Sequence, residues 1–327
     1  MRIGNLALIN NVFLAPMAGV TDLAFRTIAH ESGAGLCYTE MISAAGLTRK
    51  QSDRYLSSSQ DDKPLGVQIF GAEPEILSEA VRIVTDTGAD LIDINMGCPV
   101  KKVVKSGAGA ALMKNPLKVA EIAKIARKAT DRPLTAKLRS GWCRDSVNVV
   151  QIAKILEDCG ADGVTVHPRT ASQGFQGKAD WNLIRDVKKA VSIPVIASGD
   201  LWTPGDARRL FDLTECDGIM IARGSLGNPW IFEAIACYLS KGSHVNFISA
   251  PRRINVIRRH FELSLALYGE NSGIRNFRKH LLWYTKGLAG GSQFRREASS
   301  KRSKEEILAL VEHFFNSSKA PYTGCTG

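Results

Sequence analysis

Eight short apolar runs recur between residues 12 and 222, and most are followed by a stretch with helical spacing. The runs are Val12–Ala15, Leu36–Glu40, Leu65–Phe70, Leu91–Asn95, Leu134–Arg139, Gly163–His167, Pro194–Ser198 and Gly218–Ala222. They are nearly continuous in apolar residues rather than alternating, as parallel strands covered on both faces should be. Between them, Ile76, Leu77, Ala80, Val81 and Val84 fall on one helix face, and so do Val119, Ile122, Ala123 and Ala126. Strand–helix alternation repeated eight times predicts an α/β fold, a (β/α)8 TIM barrel. A doubly wound open sheet would need fewer strands and a glycine fingerprint straight after the first one. Gly107-Ala108-Gly109-Ala110-Ala111-Leu112 ends in leucine and follows no strand, so Val100–Asn115 reads as a lysine- and glycine-rich loop.

Past residue 240 the rhythm changes. Three amphipathic helical stretches are expected, at Ile254–Leu267, Gly273–Leu288 and Lys304–Phe315, with Gly290-Gly291 as a break. The expected organisation is a catalytic barrel over 1–240, a small all-α helical bundle over 241–316, and a disordered tail over 317–327. Charge follows the same division. Residues 1–240 hold 28 Lys/Arg against 26 Asp/Glu, a net of +2, and residues 241–327 hold 15 against 6, a net of +9. A selectively basic end suits a polyphosphate partner. Arg275, Arg278 and Lys279 lie beside Phe277 and Trp283, and with Arg252, Arg253, Arg258 and Arg259 they are the candidate phosphate contacts. The seven cysteines are scattered without a C-x-x-C pair, so no metal site and no disulfide framework is expected. No apolar run reaches bilayer length and Met1–Asn5 opens no signal peptide, so a cytoplasmic protein without membrane contact is expected. A monomer is the separate expectation, which no feature of the sequence fixes.

In a barrel the C-terminal strand ends share one face, where sites are built. Those ends carry Pro16-Met17-Ala18, Glu40, Gln68, Asn95 with Cys98, Lys137 with Arg139, His167, Ser198-Gly199-Asp200, and Ala222-Arg223. A lone cysteine is more often a small buried apolar residue than a reagent. Cys98 differs in lying in Asn95-Met96-Gly97-Cys98-Pro99, just past a strand and surrounded by polar strand ends. The glycine turn at Gly199 and the Arg223-Gly224 pair offer backbone N–H groups and a cation to a phosphate. Lys137 and His167 can donate to a polarised ring, and Gln68 can pair with an amide-like edge. This set suits flavin mononucleotide better than a dinucleotide or a metal.

The motifs Ala15-Pro16-Met17-Ala18-Gly19-Val20-Thr21-Asp22, Asp93-Ile94-Asn95-Met96-Gly97-Cys98-Pro99, Lys137-Leu138-Arg139-Ser140-Gly141-Trp142, His167-Pro168-Arg169-Thr170 and Gly227-Asn228-Pro229-Trp230 carry a resemblance. The chain resembles the tRNA-dihydrouridine synthases, most closely their bacterial B-type branch. The resemblance implies a flavin barrel with a helical tRNA-binding domain, and NADPH-driven reduction of the C5–C6 bond of a uridine in tRNA. It puts Pro16, Met17, Ala18, Gln68, Lys137, His167, Ser198, Gly199, Asp200, Ala222 and Arg223 at FMN, Asn95 and Arg139 near flavin and uracil, and Cys98 as proton donor. Two departures stand out: the family often has Asn where Ser198 stands and Gly where Ala222 stands. The rival is an FMN barrel reducing a free small molecule, in the manner of a dihydroorotate dehydrogenase, which leaves the basic helices unexplained.

Overall fold

The computed structural model describes residues 1–51, 56–242 and 248–317. All eight expected strands are present and close into a parallel barrel. We label them β1 Val12–Leu14, β2 Leu36–Tyr38, β3 Leu65–Phe70, β4 Leu91–Met96, β5 Leu134–Arg139, β6 Gly163–His167, β7 Val195–Ser198 and β8 Gly218–Ile221. Each pairs in parallel with its successor, and β8 returns to β1 through Ile219 opposite Val12. The second strand is shorter than expected. It stops at Tyr38, and a two-residue strand, Ile42–Ser43, resumes the pairing against Ile69 and Phe70. Glu40 lies in that break.

The helices around the barrel are α1 Leu23–Glu31, α2 Ala44–Thr48, α3 Pro74–Asp86, α4 Lys101–Lys105, α5 Pro116–Lys128, α6 Val149–Asp158, α7 Asn182–Ala190, α8 Pro204–Thr214 and α9 Ile231–Lys241. Their starts follow local chemistry: Asp22 caps α1 by accepting from Phe25 N–H, and Thr203 and Asp206 form a reciprocal box at α8. The stretch read as a loop over Val100–Asn115 contains α4 and a 3₁₀ turn, Gly109–Lys114. Val103, Ala110, Leu112 and Met113 are buried there, which gives the segment a packing face that its glycines and lysines hide.

The barrel is open at one end only. An N-terminal hairpin, Arg2–Ile3 with Leu6–Ala7, fits its lower end. Ile3 and Leu8 pack with Phe13, Tyr38, Leu91, Ile196 and Met220 in one apolar cluster. A Cβ on Gly218, at the start of β8, would lie 3.1 Å from the Met1 sulfur. The C-terminal end is left as the mouth.

Four helices follow: α10 Ala250–Tyr268, α11 Glu270–Tyr284, α12 Gly291–Ser300 and α13 Lys304–Ser317. Three were expected; α12 begins at the glycine pair read as a break. They share an apolar cluster built on Ile257, Phe261, Phe277, Leu281, Phe294 and Val311. Gly227-Asn228-Pro229-Trp230 joins this unit to the barrel. Gly227 has φ +67°, and a Cβ there would lie 2.3 Å from the Trp283 backbone, so only glycine allows that approach. Phe25 of α1 meets the His260 and His280 rings at 5.5 Å. Of the expected tail over 317–327, Ser317 instead ends α13, and residues 318–327 lie outside the described residues.

Candidate active site at the barrel mouth

Strand register brings the predicted residues together. Gln68 stands opposite Asp93, Asn95 opposite Lys137, and Arg139 opposite His167. Gln68 is 1% exposed and Asn95 7%. Asn95 Nδ2 donates to Gln68 Oε1 at 2.8 Å, and Gln68 Nε2 donates to Asp93 Oδ2 at 2.7 Å. Gln68 thus has one N–H left for a ligand. Asn95 Oδ1 accepts from Cys98 N–H at 2.9 Å, fixing the turn that carries the thiol. Cys98 is half-buried, and burial raises its thiol above the ordinary value despite Arg139 and Lys137 nearby. It is therefore a protonated thiol at neutral pH. Gly109, at φ +60°, leaves room for the Cys98 carbonyl, which a Cβ there would meet at 2.6 Å.

The mouth is strongly cationic. Burial and the Arg139 charge lower Lys137 to about 8. Burial and Arg169 lower Arg139 to about 10. His167 is pushed well below the ordinary imidazole range by burial, then by Lys137, Arg139, Arg169 and Arg223, so it is neutral. Arg169 Nη1 lies 3.3 Å from His167 Nε2. A guanidinium only donates, so Nε2 accepts and the ring proton sits on Nδ1. Among the described residues, neither Lys137 nor Arg139 has a carboxylate within ion-pair distance. Asp200 serves Arg169 at 2.8 Å and Arg223 at 3.6 Å, and its carboxyl is held below the usual range by Arg169.

The remaining predicted cofactor residues line the same mouth. Pro16 and Met17 are half-buried and Ala18 is exposed at the end of β1. Ser198 is buried at the end of β7. Gly199 has φ +115°, and a Cβ there would sit 2.8 Å from His167 Cδ2. Asp200 also holds a left-handed φ, +55°. Ala222 and Arg223 are half-buried past β8, where Arg223 lies 4.8 Å from the Phe175 ring and 5.1 Å from Trp202. A buried cluster of positive charge beside a glycine turn fits an anionic ligand, and the donor set therefore fits the phosphate and ring edge of FMN. Among the described residues no group of three or more His, Cys, Asp or Glu could hold a metal ion.

Sequence reasoning missed three contributors. Phe175 is 61% exposed although it faces Arg139, Arg223 and His167. Arg169 is 2% exposed and ties residues 168–177 together by donating to Gln176 and Gly177 carbonyls. Thr135 bonds Asp93 inside the barrel. An aromatic in a polar loop past a strand end was the available signal for Phe175.

The basic helices divide into several groups. Arg275 is exposed on α11. Lys279 is half-buried, with Nζ donating to the Gly19 carbonyl at the barrel rim. Arg278 Nη2 donates to the Lys301 carbonyl at 2.9 Å, within the helical unit. Arg253 corrects the expectation: it is 4% exposed and lies against Trp230 at 4.7 Å, a packing residue rather than a phosphate contact. Arg252, Arg258 and Arg259 pair with Glu233, Glu312 and Glu31. A cleft of about 560 Å³ lies between the rim and these helices, lined by Gly19, Asp22, Glu40, Tyr268, Asn276 and Lys279.

The dihydrouridine synthase (Dus) family profile matches residues 13–319. The chain belongs to the dihydrouridine synthase family. A protein of Shewanella oneidensis named tRNA-dihydrouridine synthase B is 42% identical over 319 residues, covering 97% of this chain and 98% of the relative. Its namesake in Pasteurella multocida is 41% identical over 318 residues, covering 97% and 96%. A probable tRNA-dihydrouridine synthase of Rickettsia bellii is 38% identical over 320 residues. The expected resemblance, including its B-type branch, is thereby borne out. A solved structure of an NCR variant from Zymomonas mobilis shares the barrel fold, with a TM-score of 0.53 and 16% identity over 77% of this chain and 93% of that one.

Proposed function

We propose that this chain reduces the C5–C6 double bond of a uridine in tRNA, using FMN held at the barrel mouth and NADPH as electron donor, in a cytoplasmic setting. Family membership and the names of relatives at about 40% identity support the reaction. The observation that carries the site is the positive charge of Lys137 and Arg139, without a carboxylate in ion-pair distance among the described residues, beside a protonated Cys98.

FMN, when bound, supplies the hydride destined for uracil C6. The protein supplies the rest. Gly199, Ser198 and Arg223 would hold the phosphate, Lys137, His167 and the free N–H of Gln68 would donate to the ring, and Met17 and Ala18 would pack against it. Asn95 and Arg139 orient the uracil. Cys98 Sγ carries the proton for C5, and its raised pKa keeps it loaded at neutral pH. The target base must leave its stack to reach the mouth, which favours a loop of tRNA over a regular duplex. Arg275, Arg278 and Lys279 belong to the RNA side of this reading, on the helix whose Asn276 and Lys279 line the cleft. Lys101, Lys102 and Lys105 of α4 lie beside Cys98 in the chain and are further cations for RNA in this reading.

The test is anaerobic. Enzyme reduced by NADPH is mixed with unmodified tRNA, free uridine or orotate, and flavin reoxidation is followed. Rapid reoxidation by tRNA alone supports the reading. Equal or faster reoxidation by a free small molecule overturns it in favour of a metabolic reductase.

A further inference from the structure

One continuous chain of hydrogen bonds runs inside the barrel from β5 to the Cys98 turn. Thr135 Oγ1 donates to Asp93 Oδ1 at 2.6 Å, and Gln68 Nε2 donates to Asp93 Oδ2 at 2.7 Å. Asn95 Nδ2 donates to Gln68 Oε1 at 2.8 Å. Asn95 Oδ1 accepts from Gly97 N–H at 3.2 Å and from Cys98 N–H at 2.9 Å. Asp93, Thr135, Gln68 and Asn95 are all buried.

An amide has a donor end and an acceptor end, so this chain has a direction. Both of its termini are fixed. Backbone N–H groups can only donate, and an ionised carboxylate can only accept. If Gln68 turned over, its oxygen would face the Asp93 carboxylate. Asn95 would then have to turn as well, setting its NH₂ against the N–H groups of Gly97 and Cys98. Buried mismatches of that kind have no water to relieve them.

We propose that Asp93 is a positioning residue whose acceptor oxygen sets the direction of the Gln68 and Asn95 amides and so holds the turn that presents the Cys98 thiol. Asp93 touches no reacting atom. Its carboxyl is raised by burial to about 6 while Gln68 and Thr135 hold it down, so it is ionised under neutral conditions. The catalytic half of the consequence rests on the reading given under Proposed function; the holding of the turn does not.

The prediction that separates direction from charge or bulk is a double-mutant cycle. Asp93→Asn removes the charge but keeps the direction, because its oxygen can face Gln68 while its NH₂ donates to the Thr135 hydroxyl. Thr135→Val removes one bond but leaves the carboxylate. In the double variant the Asn NH₂ loses the hydroxyl it donates to, and only the Gln68 N–H still holds the Asn oxygen toward the chain. Two rates are read on flavin-loaded enzyme: iodoacetamide modification of Cys98, followed by peptide mass spectrometry, and single-turnover flavin oxidation by tRNA. Each single variant should stay within about threefold of wild type, and the double should depart by about 10–100-fold, the usual scale for loss of an orienting partner. Effects that simply multiply, or an Asp93→Asn variant as damaged as the double, overturn the proposal. A cycle seen in alkylation without any tRNA turnover keeps the positioning role and removes the functional reading. Should the double variant not fold, Gln68→Glu replaces it, since it sets an acceptor against Asp93. Its alkylation rate relative to wild type should then vary with pH as the two carboxyls share a proton, and a flat ratio overturns the proposal.

Discussion

Lys137 is an ammonium group in poor surroundings for its charge, and that has a measurable consequence. Its proton is loosened to about 8 by burial and by Arg139. An anionic ligand favours the charged form, so above that pH binding must first restore the proton. The affinity of the apoprotein for FMN should be level below pH 8 and weaken above it, by at most about tenfold per unit. Fluorescence titration of FMN at a series of pH values checks this, and Lys137→Met should bind more weakly with the slope reduced. At this scale the strand-end residues were legible because strand order in a barrel fixes which ends share a face. The side-chain bonds among them were not. Nothing in the spacing of Gln68, Asp93 and Thr135 shows that three different strands set them in contact. Arg253 shows the reverse error. Counting it as surface charge ignored the helix turn that aims it at Trp230, whereas Arg275 points outward.

Connections between elements hold the mouth in shape. Arg26 of α1 donates to Thr21 and Ser57 carbonyls and to Asp62, and both charged groups are 2% exposed or less. This pins the polar connection between α2 and β3 to the barrel. Asp62→Asn would leave a buried guanidinium without its counter-charge and should cost about 3–5 kcal/mol, read by urea unfolding. The turn after β7 is constrained differently. Gly199→Ala places a Cβ against the His167 ring at a left-handed φ, and should cost about 1–3 kcal/mol together with flavin content in the purified protein. Retention of full flavin by that variant would show that the ring has room to move. The strands and the helices with clear apolar stripes could be read from periodicity. Helix α12 could not: Gly291–Ser300 starts on a glycine and is rich in serine and charge, and it is held by Phe294, which meets Phe314 at 4.8 Å. The turns at Lys101–Lys105 and Gly109–Lys114 were hidden for the same reason, since packing rather than propensity supports them.

For the molecule as a whole, the basic excess of +9 over residues 241–327 overstates the charge free to meet RNA. Arg252, Arg258 and Arg259 are each matched by a glutamate, and Arg253 is buried. The affinity for tRNA should still fall with salt, with a logarithmic slope near −0.7 to −0.9 per phosphate neutralised. Arg275→Glu should weaken binding and flatten that slope by about one contact without altering thermal stability. Arg253→Ala should lower stability instead. Binding measured by filter retention across a salt series, alongside thermal melts, separates the two. The claim on which the account turns is that the mouth uses Cys98 to complete uridine reduction. Wild-type and Cys98→Ala enzymes, both loaded with flavin and reduced by NADPH, are given unmodified tRNA for a single turnover, and the RNA is mapped by mass spectrometry. The account predicts a two-dalton gain at a uridine with wild type, and normal NADPH-driven flavin reduction but a loss of about 10²–10⁴-fold in that gain for Cys98→Ala. Dihydrouridine formed by the variant at the wild-type rate would contradict it.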